Sequence, residues 1–385
     1  MREYREQELL VLAKRYKNNK RNYLLVDPLQ GKHIPVSPGK ALEMMSALGD
    51  RLAQMAPEID LVIGFAETAT AVGAAVAARL QEGCRYIHTT REEFARVVGS
   101  IAFQEEHSHA TDQFLCAGDA SEMLAHARGI AFVDDEISTG KTLLNIIQAL
   151  RDACGGLEGK PIVAASIVNR LDSDRIAAFM AQGIRCCSLL HLPLTDYTQA
   201  VERYEIRGAD CPPPGELEAW QPSIQAETGD PRQGLPVQAY LSQCERRSAQ
   251  VLDAIRSVIR GKAVTVLGTE EYMYPGLVLG RQIEEAGLCT RVDFHATTRS
   301  PIGICSDAGY PIRSGYRLRS FYDSMRNTYI YDLLPTDVAI VATDSPDREA
   351  VDAAMRDLAE ALRASGCREI ILIREEHHVR NVQEG

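Results

Sequence analysis

Asp134 and Asp135 are adjacent carboxylates that stand just before a run of hydroxyl and small side chains, Ser138-Thr139-Gly140-Lys141-Thr142. Carboxylates so placed accept hydrogen bonds from the vicinal hydroxyls of a ribose and can share a divalent cation with a phosphorylated substrate. A hydroxyl-rich turn that opens a helix holds a phosphate through backbone amides and the positive end of the helix dipole. Together they describe a site for a sugar phosphate. A Walker A loop would require a glycine five residues before Gly140; position 135 is Asp, so the nucleotide triphosphatase reading fails.

The elements that must hold these residues are legible around them. The apolar run Ile130 to Val133 reads as a buried strand ending at the acid pair, and an apolar helix follows the turn as far as about Cys154. A second strand, Leu61-Val62-Ile63, enters the loop Gly64-Phe65-Ala66-Glu67-Thr68-Ala69-Thr70 and then a small-residue helix through Leu80. Ala66 and Thr68 leave room for close approach to the backbone. Glu67 serves an outer-shell magnesium, a cationic acceptor, or the cap of the following helix. Arg91, after the strand Tyr86-Ile87-His88, has the planar fork that suits oxyanions. The polar cluster Glu105-Glu106-His107-Ser108-His109 offers two histidines, His107 and His109, as a source of charge or a proton for a leaving group, with metal binding as the rival reading. Arg170 follows the strand Pro161 to Val168 and faces either an acceptor, a 5′-phosphate or its neighbour Asp172. Asp27 to Pro38, with Lys32 and His33, reads as a covering segment or a plain surface loop.

The chain has 385 residues, long for one domain, with 45% hydrophobic and 25% charged side chains. A formal net charge of −11 disfavours DNA and other nucleic acid as a non-specific partner. A polyanionic substrate therefore needs local amides, a few cationic side chains and a metal ion. The first residues lack the apolar core of a signal peptide, no run approaches a membrane span, and ten scattered cysteines fit free thiols in a cytoplasmic setting.

Residues 130–142 resemble the PRPP-binding motif of type I phosphoribosyltransferases at every defining position: four apolar residues, two acids, two variable residues and a Ser-Thr-Gly-x-Thr turn. The resemblance implies an α/β, Rossmann-like parallel sheet flanked by helices. It also implies a loop at 64–70 that contacts pyrophosphate through its amides, a mobile lid after Gly99, and transfer of ribose 5-phosphate from PRPP to an acceptor. Asp134 and Asp135 would fix the ribose and share Mg²⁺, residues 138–142 would grip the 5′-phosphate, and Arg91 would neutralise the departing pyrophosphate. The family's lid lysine is missing between Gly99 and Leu115. A regulator that senses PRPP without turnover is the alternative function.

The chain also echoes itself. Val-Ile-Gly64-Phe-Ala-Glu67 is matched by Val-Leu-Gly268-Thr-Glu-Glu271, and Thr89-Thr90-Arg91 by Thr297-Thr298-Arg299, at nearly equal spacing. We expect three parts: a PRPP-binding domain over 1–207, a Pro/Gly-rich connector over 208–236 containing the only tryptophan, Trp220, and a second α/β domain over 237–385 that is a degenerate copy lacking the phosphate turn. Thr298-Arg299-Ser300-Pro301 resembles the mark of the TRSP domain, which follows a phosphoribosyltransferase domain in proteins encoded with bacterial tellurite-resistance (ter) genes. That resemblance implies synthesis of a nucleoside-like product, small-molecule substrates (PRPP or pyrophosphate and an unidentified acceptor), a homodimer, no membrane partner, and partners among other ter-cluster biosynthetic proteins. Arg299, Arg313, Arg317, Arg319 and Tyr322 either bind an anion or join the domains.

Overall fold

The computed structural model describes residues 2–18, 21–93, 100–103, 113–116, 120–154, 157–214, 226–227 and 229–376. The amino-terminal half begins with a short helix α1 (Glu6–Leu9) and a hairpin, β1 (Val11–Lys14) and β2 (Tyr23–Val26). It continues as α2 (Pro38–Met55), β3 (Leu61–Gly64), α3 (Thr70–Ala77), β4 (Arg85–His88), a second hairpin of β5 (Ile101–Phe103) and β6 (Gln113–Leu115), and α4 (Ala120–His126). Then come β7 (Ile130–Ile137), α5 (Lys141–Cys154), β8 (Ile162–Asn169), α6 (Ser173–Ala181), β9 (Ile184–His191) and α7 (Thr198–Glu202). The parallel sheet runs β4-β3-β7-β8-β9, so the acid-bearing strand β7 lies at its centre, buried from Ile130 to Val133.

Short strands β10 (Ala226–Glu227) and β11 (Leu235–Pro236) belong to the connector. The first pairs with the edge of the second sheet and the other with β4 of the first, so the described part of the connector docks on both halves; Trp220 lies outside the described residues. The carboxyl-terminal half follows as α8 (Val237–Ile259), β12 (Ala263–Gly268), α9 (Tyr274–Glu285), β13 (Arg291–Ala296), a hairpin of β14 (Gly315–Arg319) and β15 (Asn327–Tyr331), β16 (Val338–Thr343), α10 (Arg348–Ala364) and β17 (Glu369–Glu376). Its parallel sheet runs β13-β12-β16-β17. Numbered by order in the chain, the parallel strands of the first sheet read second, first, third, fourth, fifth, and those of the second read second, first, third, fourth.

Strands this apolar on both faces need helices on both sides. One continuous core joins the halves: Val62, Val133 and Val163 of the first sheet and Val264, Val266 and Ile340 of the second close over α2, α3, α8 and α9 between them. The outer face of the first sheet is covered by α4, α5 and α6, and that of the second by α10 and its hairpin. The segment after β2 is not a plain surface loop. It crosses to the second half, where Val36 exchanges backbone hydrogen bonds of 3.0 and 2.7 Å with Phe294, and Lys32 and His33 are buried. Among the described residues no helix is long and apolar enough to cross a membrane, and the described cysteines are free.

Candidate functional site

β7 does not stop at the acids; it pairs with β8 through them, Asp134 beside Ser166 and Ile137 beside Asn169. The strand thus fixes the backbone of the acid pair before the chain turns at Ser138-Thr139-Gly140. Gly140 has φ +77°, a conformation that a side chain resists, and a Cβ there would collide with the Phe179 ring. The turn packs against α6 by that absence, and α5 starts at Lys141 with its first-turn amides at this end. Asp134, Glu136, Ser138, Thr139, Gly140 and Thr142 line a concavity with Phe65 and Phe132 on its apolar side. Lys141 is exposed on the helix. Burial pushes the Asp135 carboxyl up; the hydrogen bond with Asp134 opposes this and the Glu136 charge adds to it.

Phe65 belongs to the second loop, which reaches the same concavity because β3 and β7 are neighbours: Phe65 N–H donates to Val133 O at 3.0 Å. The loop is clamped on both sides. Ala66 N–H donates to Thr89 Oγ1 at 2.8 Å, Gln113 Nε2 donates to Ala66 O at 2.9 Å, and Gln30 Nε2 donates to Thr68 O at 3.0 Å. The peptide between Ala66 and Glu67 is cis. Glu67 does not cap α3, whose N-cap is Ala69 without a side-chain bond. It is buried, 2.5 Å from Lys32 Nζ and 3.2 Å from Arg299 Nε. Burial alone would raise its pKa, but those two cations outweigh it and hold the carboxyl low. Arg91 sits at the corner after β4, its charge felt by Glu67 and its N–H donated to Glu271 Oε1 at 2.9 Å.

Arg170 is the clearest correction. Its pairing with Asp172 does not form, since Asp172 pairs with Arg175. Its fully buried guanidinium lies 3.2 Å from Glu136 Oε1, donates to Thr195 O at 2.6 Å and stacks near the rings of Tyr23 and Tyr197. Arg21 reaches the same Glu136 at 2.8 Å. Arg170 therefore acts one layer behind the concavity, fixing a carboxylate that lines it. His107 and His109, with the rest of their cluster, lie outside the described residues. Of the arginine-rich stretch, Arg299 joins the halves through Glu67 and Glu92, while Arg319 pairs with Asp357 inside its own half.

Sequence reading missed Gln30, Gln113, Arg21 and Tyr23, because nothing local marks a side chain that reaches a loop from elsewhere in the fold. It also missed Asp27, a buried carboxylate that burial pushes up to about 8, with the charge of Asp135 nearby.

A parallel sheet carrying an acid pair and a hydroxyl-rich turn at its carboxyl edge is the arrangement expected of a phosphoribosyltransferase-type unit. Residues 9–191 match a family model described as phosphoribosyl transferase, and residues 231–364 match the TRSP domain that lies C-terminal to it. The chain is thus a phosphoribosyltransferase-family domain followed by a TRSP domain. No curated protein matches it. Among solved structures it is similar to orotate phosphoribosyltransferase from Aeropyrum pernix (20% identity, 40% of this chain and 72% of that one, TM-score 0.26). It is likewise similar to the adenine enzyme of Giardia lamblia complexed with 9-deazaadenine (17%, 49% and 96%, TM-score 0.35). A third is the adenine enzyme of Trypanosoma brucei in complex with AMP, pyrophosphate and ribose 5-phosphate (18%, 40% and 65%, TM-score 0.29).

Proposed function

We propose that this chain transfers ribose 5-phosphate between PRPP and a base-like or amine acceptor. The observation that carries this reading is the single concavity in which the turn 138–142, Asp134 and the loop residue Phe65 meet. In the forward direction the bond from C1′ to the pyrophosphate oxygen breaks, and its electron pair leaves with pyrophosphate. The acceptor nitrogen's lone pair forms the new C1′–N bond, and that nitrogen then loses its proton. Asp134 and Asp135 hold the ribose hydroxyls while the turn and α5 hold the 5′-phosphate, so the sugar is fixed as positive charge develops at C1′. Ala66, Thr68 and Arg91 face the pyrophosphate.

No group of three or more ligating side chains that could hold a metal ion occurs among the described residues. Two carboxylates beside a phosphorylated substrate nevertheless suit Mg²⁺, which takes one or two protein oxygens and keeps the rest for phosphates and water. The half-buried Asp135 stands beside the like charge of Glu136, which a cation there would offset. Mg²⁺ held by Asp134 and Asp135 would supply charge to the pyrophosphate and ribose oxygens. The product is a nucleoside-like compound of a tellurite- or stress-resistance pathway, made in the cytoplasm. The test is pyrophosphate release from PRPP across a panel of bases and amines: Asp134→Asn or Asp135→Asn should cut turnover by at least ~10²-fold with folding intact. Near-normal turnover in both variants removes the acids from the mechanism.

A further inference from the structure

The two halves repeat each other in detail beyond strand order. Gly64 and Gly268 end the first strands, and each is followed by a loop clamped by a threonine hydroxyl. Thr89 Oγ1 takes Ala66 N–H, and Thr297 Oγ1 takes Glu270 N–H at 3.0 Å. Thr90 forms a backbone bridge to Phe114 of one hairpin, and Thr298 does the same with Tyr329 of the other. The halves then exchange contacts across their junction. Arg299 N–H in the second half donates to Glu67 Oε1 at 3.3 Å, while Arg91 N–H in the first donates to Glu271 Oε1 at 2.9 Å. Glu67 and Glu271 occupy matching places in the two loops, as do Arg91 and Arg299 in the two corners. The geometry is that of a two-fold pair folded within one chain.

The pair is unequal. Where the first half has an open turn, the second has Asp344-Ser345-Pro346-Asp347, and its acid is already engaged. Asp344 is buried, ion-paired to the connector residue Arg232 and hydrogen-bonded by the Tyr322 hydroxyl. Arg232, itself buried, lies 2.8 Å from Asp230 on its other side. Asp347 accepts a hydrogen bond from Ala350 N–H as the N-cap of α10. Thr269, Glu270 and Glu271 are buried as well. The connector thus sets a buried guanidinium against the acid of the second half's turn.

What the second half retains is its grip on the first. Glu271 uses both carboxylate oxygens on one corner: Oε2 accepts from Thr90 Oγ1 at 2.7 Å and Oε1 from Arg91 N–H. Its own carbonyl accepts from Thr70 Oγ1 at 2.7 Å, at the start of α3. That corner carries Thr89, which clamps the loop 64–70. We propose that the second half is an internal partner with no ligand site of its own, and that its Glu271 is a positioning residue that sets the Thr90–Arg91 corner for the pyrophosphate group. This rests on the reading of the first half as a PRPP site. The 5′-phosphate turn lies on a different strand and is untouched by Glu271.

Those separate loci give the test. Inorganic pyrophosphate and ribose 5-phosphate, each with Mg²⁺, are titrated calorimetrically into the full chain and into Glu271→Gln. Glutamine keeps the shape but presents only one acceptor to two donors. The expected result is pyrophosphate binding weakened roughly tenfold, ribose 5-phosphate affinity within about twofold of wild type, and one pyrophosphate per wild-type chain. Thr90→Val, which removes the hydroxyl that donates to Glu271 Oε2 and accepts from Glu92 N–H while leaving Glu271 in place, should weaken pyrophosphate in the same selective way. Unchanged pyrophosphate affinity in both variants, equal loss for both ligands, or two pyrophosphates per chain overturns the proposal. A wild-type chain that binds neither ligand overturns the PRPP reading and this inference together, an outcome distinct from the other three.

Discussion

Asp27 follows the hairpin strand β2, with one carboxylate oxygen accepting Leu29 N–H at 2.8 Å and the other buried without a hydrogen-bond partner. Burial holds this carboxyl at about 8, far above its ordinary value of 3.8. Between those two pH values the folded chain keeps a proton that the unfolded chain has lost, so this group makes stability fall as pH rises through that window. Asp27→Asn should therefore flatten the decline, read from thermal unfolding at intervals from pH 4 to 8; a variant with the wild-type slope contradicts the assignment. Glu92, pushed up to about 7 by burial with Arg299 opposing and Glu271 and Glu270 adding, contributes in the same direction. The acids at 134 and 135 were legible in the sequence because their partners are local, one strand and one turn away. Glu67 and Arg170 were not, because their partners Lys32, Arg299, Glu136 and Thr195 are set by packing between distant segments.

At the scale of elements, the phosphate turn depends on Gly140 for both conformation and space. Gly140→Ala asks a side chain to adopt φ +77° and to enter the volume of the Phe179 ring. A loss of about 2 kcal/mol in stability is expected from denaturant unfolding. Ribose 5-phosphate binding should weaken with it, and a variant of wild-type stability would show that the turn relaxes freely. The connector is the second such element. Arg232 neutralises Asp230 and Asp344 in a buried setting, so Arg232→Met leaves two carboxylates uncompensated and should cost about 3–5 kcal/mol by the same measurement. The strands at 61, 130, 162 and 263 could be read from apolar runs, and so could the helices between them. That β7 runs on through Asp134 and Asp135 could not, since only pairing with β8 extends it.

For the whole molecule, one apolar core and a reciprocal polar junction bind the halves. The matched strings and the missing phosphate turn of the second half could be read from the sequence, whereas the pairing of Arg232 with Asp344 could not, because Arg232 lies in the connector. Such a core predicts a single cooperative unfolding transition, with urea midpoints from far-UV circular dichroism and from hydrogen exchange in β7 and β16 coinciding; separate midpoints would contradict a shared core. The central claim is that the concavity beside Asp134 and Asp135 clasps PRPP. Calorimetric titration of the full chain with PRPP and Mg²⁺ tests it most directly: the account predicts saturable binding of one PRPP per chain, lost in Asp134→Asn and Asp135→Asn proteins that still fold. Absence of binding to the wild-type chain, or unchanged affinity in both variants, would contradict it.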